Sequence, residues 1–149
     1  MQNPIQTLKG ISKILKPGGK AILSTPNANG WGRKIFNKLW INWHIPYHLQ
    51  FFSKSSMNIA AKMTGFYLEK YRTITNPNWL HYQFIHLVSH PEVGIQSKFW
   101  KNTGNFSKSQ KLFIKIFDNL NSLKAFNIFS KGMDLINMGD NLVITLVNK

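Results

Sequence analysis

The pattern of apolar positions predicts a helix followed by a buried strand at the start of the chain. Four apolar residues recur at steps of three or four positions: Ile5, Leu8, Ile11 and Leu15. This spacing predicts an amphipathic helix over residues 4–15 that packs on a sheet. Pro17 and the pair Gly18-Gly19 end the helix, and the apolar run in residues 20–25 predicts a strand buried between neighbours, which Pro26 ends. A helix, a glycine turn and a buried strand in this order are half of an α/β repeat.

A second helix and strand are predicted after a long irregular segment. Residues 26–52 are rich in Asn, Gly, Pro and aromatic residues without a sustained period, which predicts a functional loop with one helical turn at residues 33–39. Ser53 is placed as the N-cap of a helix that Gly65 ends. Residues 66–74 then predict a strand that carries three charged side chains: Glu69, Lys70 and Arg72. Such charges are typical of an edge strand.

The rest of the chain predicts one clear helix and a final strand. Ser107 and Gln110 form a capping-box pattern before a helix over residues 108–124. Its apolar stripe consists of Leu112, Phe113, Ile116, Phe117, Leu120 and Leu123. A core position for this stripe is the favoured interpretation, and the alternative is that the helix, with Lys108, Lys111 and Lys115, contacts an anionic membrane or covers a lipid-linked substrate. Residues 141–147 predict a buried last strand after a turn at Gly139-Asp140.

Composition and charge limit the class of protein. The 149 residues, 43% of them hydrophobic, are enough for one domain with a core. The absence of cysteine excludes disulfides and thiolate metal sites, and together with the lack of a signal peptide or a spanning segment it predicts a cytoplasmic protein. The net charge of +14 favours anionic partners, but no nucleic-acid-binding motif accompanies it, so nucleic-acid binding is not expected.

Several motifs, taken in their order, carry a family resemblance. They are Asn3-Pro4 before a helix, Leu15-Lys16-Pro17-Gly18-Gly19, a strand ending Thr25-Pro26-Asn27, Pro46-Tyr47-His48-Leu49 with Phe52-Ser53, a helix ending Gly65-Phe66, and Gly139-Asp140-Asn141 before the last strand. This series resembles the C-terminal half of class I S-adenosylmethionine-dependent methyltransferases, in the small-molecule branch that includes ubiquinone-biosynthesis-like enzymes.

The resemblance implies the fold. The family's sheet has the strand order 3-2-1-4-5-7-6 with strand 7 antiparallel, so residues 20–25, 66–74 and 142–147 would be strands 5, 6 and 7. The expected fold class is therefore α/β, a partial Rossmann-like methyltransferase sheet with flanking helices. Residues 1–149 would be the C-terminal part of one methyltransferase domain, and residues 76–138 a variable, largely helical insertion.

The resemblance also implies that most of the cofactor site is missing. In this family a glycine-rich turn after strand 1 and an acidic residue after strand 2 hold S-adenosylmethionine, and both are expected upstream of residue 1. The pair Gly18-Gly19 does not replace them, because it precedes a strand instead of following one. Strand 5 would also lack its neighbour, which predicts pairing with a missing N-terminal half or self-association. The chain alone is expected to be inactive.

The candidate site lies beyond the strand that ends Thr25-Pro26-Asn27, because ligands of open α/β sheets bind at the carboxyl ends of the strands. For methyl transfer to a small-molecule hydroxyl, His48 or else His44 is the candidate base. The candidate acceptor-binding residues are Asn27, Arg33, Trp40, Trp43 and Tyr47. Each has a structural alternative: His48 as a loop pin, Asn27 as a turn residue, the tryptophans as core and Arg33 as a solvated charge.

Two further interpretations have less support in the sequence. The histidine pairs His44 with His48 and His86 with His90 are each four residues apart, but Pro46 interrupts the first pair and ligands of other types are scarce, so no metal site is predicted. The alternative function is a noncatalytic basic module, derived from a methyltransferase, that binds a partner subunit, nucleic acid or an anionic membrane.

Overall fold

A three-stranded sheet organises the chain, and the computed structural model describes residues 3–43, 48–89 and 106–149. The strands are β1 (Lys20–Pro26), β2 (Phe66–Ile74) and β3 (Asn141–Asn148). Their order is β1-β3-β2, and β3 is antiparallel to both neighbours, so β1 and β2 run in the same direction. This is the order expected for strands 5, 7 and 6, and the predicted α/β class is confirmed.

Six helices accompany the sheet within the described ranges. They are α1 (Pro4–Ile14), α2 (Trp31–Phe36), α3 (Lys54–Met63), α4 (Pro77–Ser89), α5 (Lys108–Ser122) and α6 (Ala125–Leu135), with 3₁₀ turns at Asn37–Leu39 and Ile41–Trp43. Local sequence explains three of the starts. Asn3 Oδ1 accepts the Gln6 N–H at 3.0 Å, and Ser53 and Ser107 each form a capping box with the residue three positions later. The helical turn predicted at residues 33–39 corresponds to α2 and the 3₁₀ turn after it, whereas the pattern of the sequence did not locate α4 or α6.

One face of the sheet carries the main core. Helices α1 and α3 lie on it, and its most buried side chains come from five elements: Leu8, Ala21, Met57, Ala60, Ala61, Phe66, Leu142, Ile144 and Leu146. The central strand β3 contributes three of them, because every second residue of a strand points to the same face. The central position therefore explains why β3 is the most apolar strand.

The opposite face of the sheet is open. Ile22 in β1 is 72% exposed, and Tyr67 and Ile74 in β2 are also exposed. Lys20 and Glu69 form a salt bridge of 2.7 Å near one end of this face. The local pattern predicted that β1 is buried between neighbours, but β1 is an edge strand, as the expected lack of a neighbour for strand 5 implies, and only its inward residues, such as Ala21, are buried.

A second core lies between the sheet's end and the helices α4, α5 and α6. Its buried residues are Trp31, Leu80 and Phe126, and its partly buried ones are Phe36, Phe84, Phe117, Leu120, Met133 and Met138. The ring of Phe84 stacks on the rings of Phe117 and Phe126, and its centroid lies 4.7 Å from the first and 5.6 Å from the second. Among the described residues, no helix has the length and apolar character needed to cross a membrane.

Only part of the apolar stripe of α5 packs into a core. Phe117 and Leu120 pack into the second core, as the favoured interpretation expected. Four residues of the stripe are instead exposed: Leu112, Phe113, Ile116 and Leu123. The core interpretation is wrong for these four because α4 and the rest of the second core cover only one side of the helix, and no residue of α5 is fully buried.

Candidate functional site

The carboxyl ends of β1 and β2 lie on either side of the start of β3, and polar side chains converge there. Asn27 follows β1, Thr75 follows β2, and Asp140 precedes β3, and all three are buried. Hydrogen bonds join the three residues: the Asn27 N–H donates to the Asp140 carbonyl at 2.7 Å, and the Asp140 N–H donates to the Thr75 side-chain oxygen, Oγ1, at 3.0 Å. The strand ends therefore form one hydrogen-bonded polar cluster.

The side-chain nitrogen and the side-chain oxygen of Asn27 both form hydrogen bonds in this cluster. Its Nδ2 donates to the Gly139 carbonyl at 2.8 Å, and its Oδ1 accepts the Asn29 N–H at 3.0 Å. The side chain is 2% exposed. These are the contacts of a turn residue that ties the end of β1 to the start of β3, which is the structural alternative considered for Asn27.

Asp140 caps the start of α2 from a distant part of the chain. Its Oδ1 accepts the Gly32 N–H at 3.0 Å, whereas the N-cap residue of α2, Gly30, has no side chain to do so. The approach is so close that a Cβ on Gly32 would lie 2.5 Å from Oδ1 and 2.7 Å from Trp40 Nε1. The buried indole N–H of Trp40 faces the same carboxylate without a hydrogen bond of good geometry. Asp140 thus holds α2 and Trp40 against the sheet.

The environment of Asp140 favours its protonated form. Desolvation by burial raises its pKa from 3.8 to about 6, the negative charge of Asp134 acts in the same direction, and the hydrogen bond from Gly32 opposes them. Sequence reasoning interpreted this residue only as part of a turn. The available signal was its position: one of five acidic residues in a basic chain directly precedes the most apolar strand.

Asp134 joins helix α6 to the same end of the sheet. Its Oδ2 accepts the Thr75 N–H at 3.0 Å and its Oδ1 accepts the Thr75 hydroxyl at 3.1 Å. Its backbone carbonyl accepts the Thr73 hydroxyl at 3.3 Å. The two carboxylates therefore fix the helices on either side of the β3 start, α2 through Asp140 and α6 through Asp134.

We expect Asp140→Asn to stabilise the protein above about pH 6. A folded-state pKa raised above the unfolded value means that the stability contributed by the protonated group is full below about pH 4 and is lost as the pH rises through about 6. The asparagine keeps an acceptor for the Gly32 N–H and carries no charge, so the gain at about pH 8 is about 2 kcal/mol. Urea unfolding across this pH range measures it.

The control for this change is Glu69→Gln, which removes an exposed carboxylate from the sheet. It should leave the pH dependence between about pH 4 and 6 in place. Two results would contradict the raised pKa of Asp140. One is a wild-type stability that rises between about pH 4 and 6, and the other is an Asp140→Asn variant that is less stable than the wild type at about pH 8.

A cleft opens beside β1 and contains the candidate base. It is lined by Leu23, Ser24, Thr25, Pro26, His48, Leu49, Gln50, Phe52 and Met57. The Ala28 N–H donates to the Phe52 carbonyl at 2.8 Å, in a parallel bridge, whereas the preceding N–H, that of Asn27, points to β3. Successive N–H groups of an extended chain point in opposite directions, so the segment 48–52 lies along the outer edge of β1. His48 therefore lies beside the second half of this strand and lines the cleft there, and its role as a base stays a prediction.

An aromatic cluster supports the segment that carries His48. Phe51 lies between His48 and the two tryptophans, with ring centroids 6.4 Å from His48, 4.8 Å from Trp43 and 6.2 Å from Trp40. Trp40 and Trp43 are 5.3 Å apart in an edge-to-face arrangement. Trp40 is almost fully buried, so it supports the cleft from behind and does not line it.

Gln83 of α4 fixes the backbone on either side of Trp40. Its Oε1 accepts the Ile41 N–H at 2.7 Å, and its Nε2 donates to the Leu39 carbonyl at 2.8 Å. Gln83 is buried, and its two bonds replace the helix or sheet partners that this irregular backbone lacks. Nothing in the sequence pattern identified Gln83, since a polar residue on an unrecognised helix gives no local signal.

The structure thus brings together only some of the predicted site residues. His48, Trp40 and Trp43 gather around Phe51, while Asn27 lies within the strand-end cluster. Arg33 is exposed on α2. His44 and Tyr47 lie outside the described residues, as does His90. Within the described ranges, no three His, Asp or Glu side chains are close enough to hold a metal ion together.

Comparison with known proteins bears on the first half of the chain. The model of a family described as a methyltransferase domain matches residues 1–71. No curated protein sequence matches the chain. Among solved structures, a protein described as a sarcosine dimethylglycine methyltransferase from Galdieria sulphuraria superposes with a TM-score of 0.43 and 9% identity, over 99% of this chain and 48% of the other. The chain spans about half the length of that structure. The family match therefore shows a likeness of residues 1–71 to a methyltransferase domain.

Proposed function

We propose that this chain is the acceptor-side half of a class I S-adenosylmethionine-dependent methyltransferase of the small-molecule, ubiquinone-biosynthesis-like branch. Its reaction would be O-methylation of a small molecule, such as a sugar or isoprenoid hydroxyl. The observation that supports this best is the cleft at the carboxyl end of β1 that carries His48, in a sheet of order β1-β3-β2. In open α/β sheets this end is where ligands bind.

His48 supplies the chemistry that an acceptor hydroxyl requires. A neutral imidazole accepts the hydroxyl proton as the oxygen becomes the nucleophile, and near neutral pH it is available in that form. The Ser24 and Thr25 residues of the same cleft provide short polar groups for orientation, and Leu23 and Met57 provide an apolar wall. Such a mixed lining suits a small acceptor with one reactive hydroxyl.

The residues of this chain do not fit the cofactor by themselves. The glycine pair closes a turn at the opposite end of β1 from His48: the Gly18 N–H donates to the Asn148 carbonyl at 2.9 Å, and Gly18 has a φ of +78°. Asn27 and Asp140, at the correct end, already use their side chains within the strand-end cluster. S-adenosylmethionine, the methyl donor of this family, therefore needs residues from elsewhere.

The open surfaces of the sheet support an N-terminal half as the source of those residues. No strand pairs with the outer edge of β1 within the part of the chain that the structure describes, and the segment 48–52 faces only residues 23–26 of that edge, across the cleft. Beside it, the exposed Ile22 and the salt bridge Lys20–Glu69 lie on the uncovered face. An edge and a face of this kind are normally covered by a neighbouring strand and its helices.

The test is methyl transfer with and without a complementary half. We expect the purified 149-residue chain to show neither S-adenosylmethionine binding by calorimetry nor methyl transfer from a labelled donor. Co-expression with a polypeptide carrying the glycine-rich turn and strands 1–4 of a related enzyme should restore both. Genomic DNA immediately upstream of the Met1 codon should encode an Asp-x-Gly-x-Gly-like turn in the same or a shifted frame. Methyl transfer by the isolated chain would falsify the proposal that it is only one half.

A further inference from the structure

The outward face of α5 combines lysines with exposed apolar residues. Leu112 is 60% exposed, and Lys108 and Lys115 lie four residues before and three residues after it, on the same side of the helix. Ile116 and Leu123 extend this side. The residues that pack inward, including Phe117, lie on the opposite side, so α5 is apolar on both faces.

Helix α6 repeats the arrangement 16 positions later. Ile128 is 76% exposed, with Lys131 three residues after it on the same side, and Leu135, 83% exposed, is the next apolar residue on that side; Lys124 precedes the helix as its exposed N-cap residue. Its inward side, which carries Phe126 and Ser130, is buried. Two successive helices therefore combine exposed lysines with exposed apolar residues, which their own packing does not use.

The helices α5 and α6 carry more positive than negative side chains. All five of their lysines are exposed: Lys108, Lys111, Lys115, Lys124 and Lys131. Their two carboxylates are both engaged elsewhere, Asp118 with His81 of α4 at 2.8 Å and Asp134 with Thr75. The outward face is therefore positive as well as apolar, in a chain of net charge +14.

We propose that the outward faces of α5 and α6 form a docking surface for an anionic lipid membrane. The surface is defined by Leu112, Ile116, Leu123, Ile128 and Leu135 with the five lysines. Apolar side chains enter the acyl boundary while lysine stems lie along it and their ammonium groups meet lipid phosphates. Charge complementarity selects anionic lipid over a second copy of this chain, because two faces of the same sign repel each other. The proposal is independent of methyl transfer.

Vesicle binding tests the surface. The probes are vesicles of phosphatidylcholine alone and of phosphatidylcholine mixed with phosphatidylglycerol, and the readout is flotation of the purified chain. We expect binding to the anionic vesicles only, and about a tenfold weaker partition for the double variant Leu112→Ser/Ile128→Ser, whose charge is unchanged. Because any basic protein adheres to anionic vesicles, the matched control is Ile22→Ser, which removes an exposed apolar residue from the sheet and should bind like the wild type.

A second measurement locates the contact. The chain contains no cysteine, so Ile128→Cys and Ile22→Cys each accept one environment-sensitive fluorophore. The label at position 128 should shift to the blue on anionic vesicles and the label at position 22 should not. Equal binding by the double variant and the wild type, equal shifts at both positions, or a dimer that Leu112→Ser/Ile128→Ser dissociates without vesicles each overturns the proposal.

Discussion

His48→Gln is expected to lower kcat of the complemented enzyme by about 100-fold or more, with a small change in KM. Glutamine keeps a polar side chain of similar reach but takes no proton near neutral pH, so the variant loses general-base catalysis, which contributes about 10²–10⁴-fold in enzymes. His48 lines the cleft at the end of β1, and its segment is held by the Phe52 carbonyl and the aromatic cluster around Phe51. Steady-state kinetics with the complemented enzyme measure the effect.

The matched control is His81→Gln. His81 lies on α4 and contacts Asp118 of α5 at 2.8 Å, away from the residues that line the cleft. Its replacement should leave kcat within a few-fold of the wild type and change stability by about 1 kcal/mol or less. A base also leaves a signature that a structural pin does not: the acidic limb of the pH–kcat profile should disappear in His48→Gln. Retention of that limb would mean that His48 only fixes the loop.

Ile144→Ala is expected to destabilise the fold by about 2–5 kcal/mol. Ile144 has no exposed surface and lies in the middle of the central strand, paired with Leu23 of β1 and Tyr71 of β2. Removal of its side chain leaves a cavity under α1 and α3 that neighbouring side chains fill only in part. Urea unfolding followed by circular dichroism measures the loss.

The same substitution on the other face is its control. Ile22→Ala removes the same atoms from a residue that is 72% exposed, so the change should be about 0.5 kcal/mol or less. The pair of variants also tests whether the second face is open in the isolated chain. Similar losses of unfolding free energy at positions 22 and 144 in the isolated chain would show that another surface covers Ile22. We expect similar losses only after the complementary half has been added.

The sequence alone was sufficient wherever the signal was local or periodic. The spacing of apolar residues located α1, and the N-cap at Ser53 and the capping box at Ser107 located the starts of α3 and α5. The resemblance carried by the order of motifs implied the correct strand order, and the apolar β3 and the charged β2 agree with a central and an edge position. His48 lines a cleft next to residues 23–26 of β1, and its role as a base stays a prediction.

The sequence was insufficient where a residue's role depends on partners far along the chain. Asp140 caps a helix that begins 109 positions earlier, at Trp31, and Gln83 holds a segment more than 40 residues away. Asn27, predicted to orient the acceptor, has both amide groups bonded within the strand-end cluster. None of these contacts has a sequence period or a fixed spacing, so only the folded chain reveals them.

The same division applies to exposure. An apolar stripe in the sequence predicts that one side of a helix is apolar, and this prediction was correct for α5. Whether this side faces a core depends on what packs against it, and the tertiary structure placed Phe117 inside and Leu112 outside. Local and periodic patterns thus determined the three strands and the helices α1, α3 and α5, whereas packing decided which apolar and charged residues remain available for a ligand, a membrane or a second polypeptide.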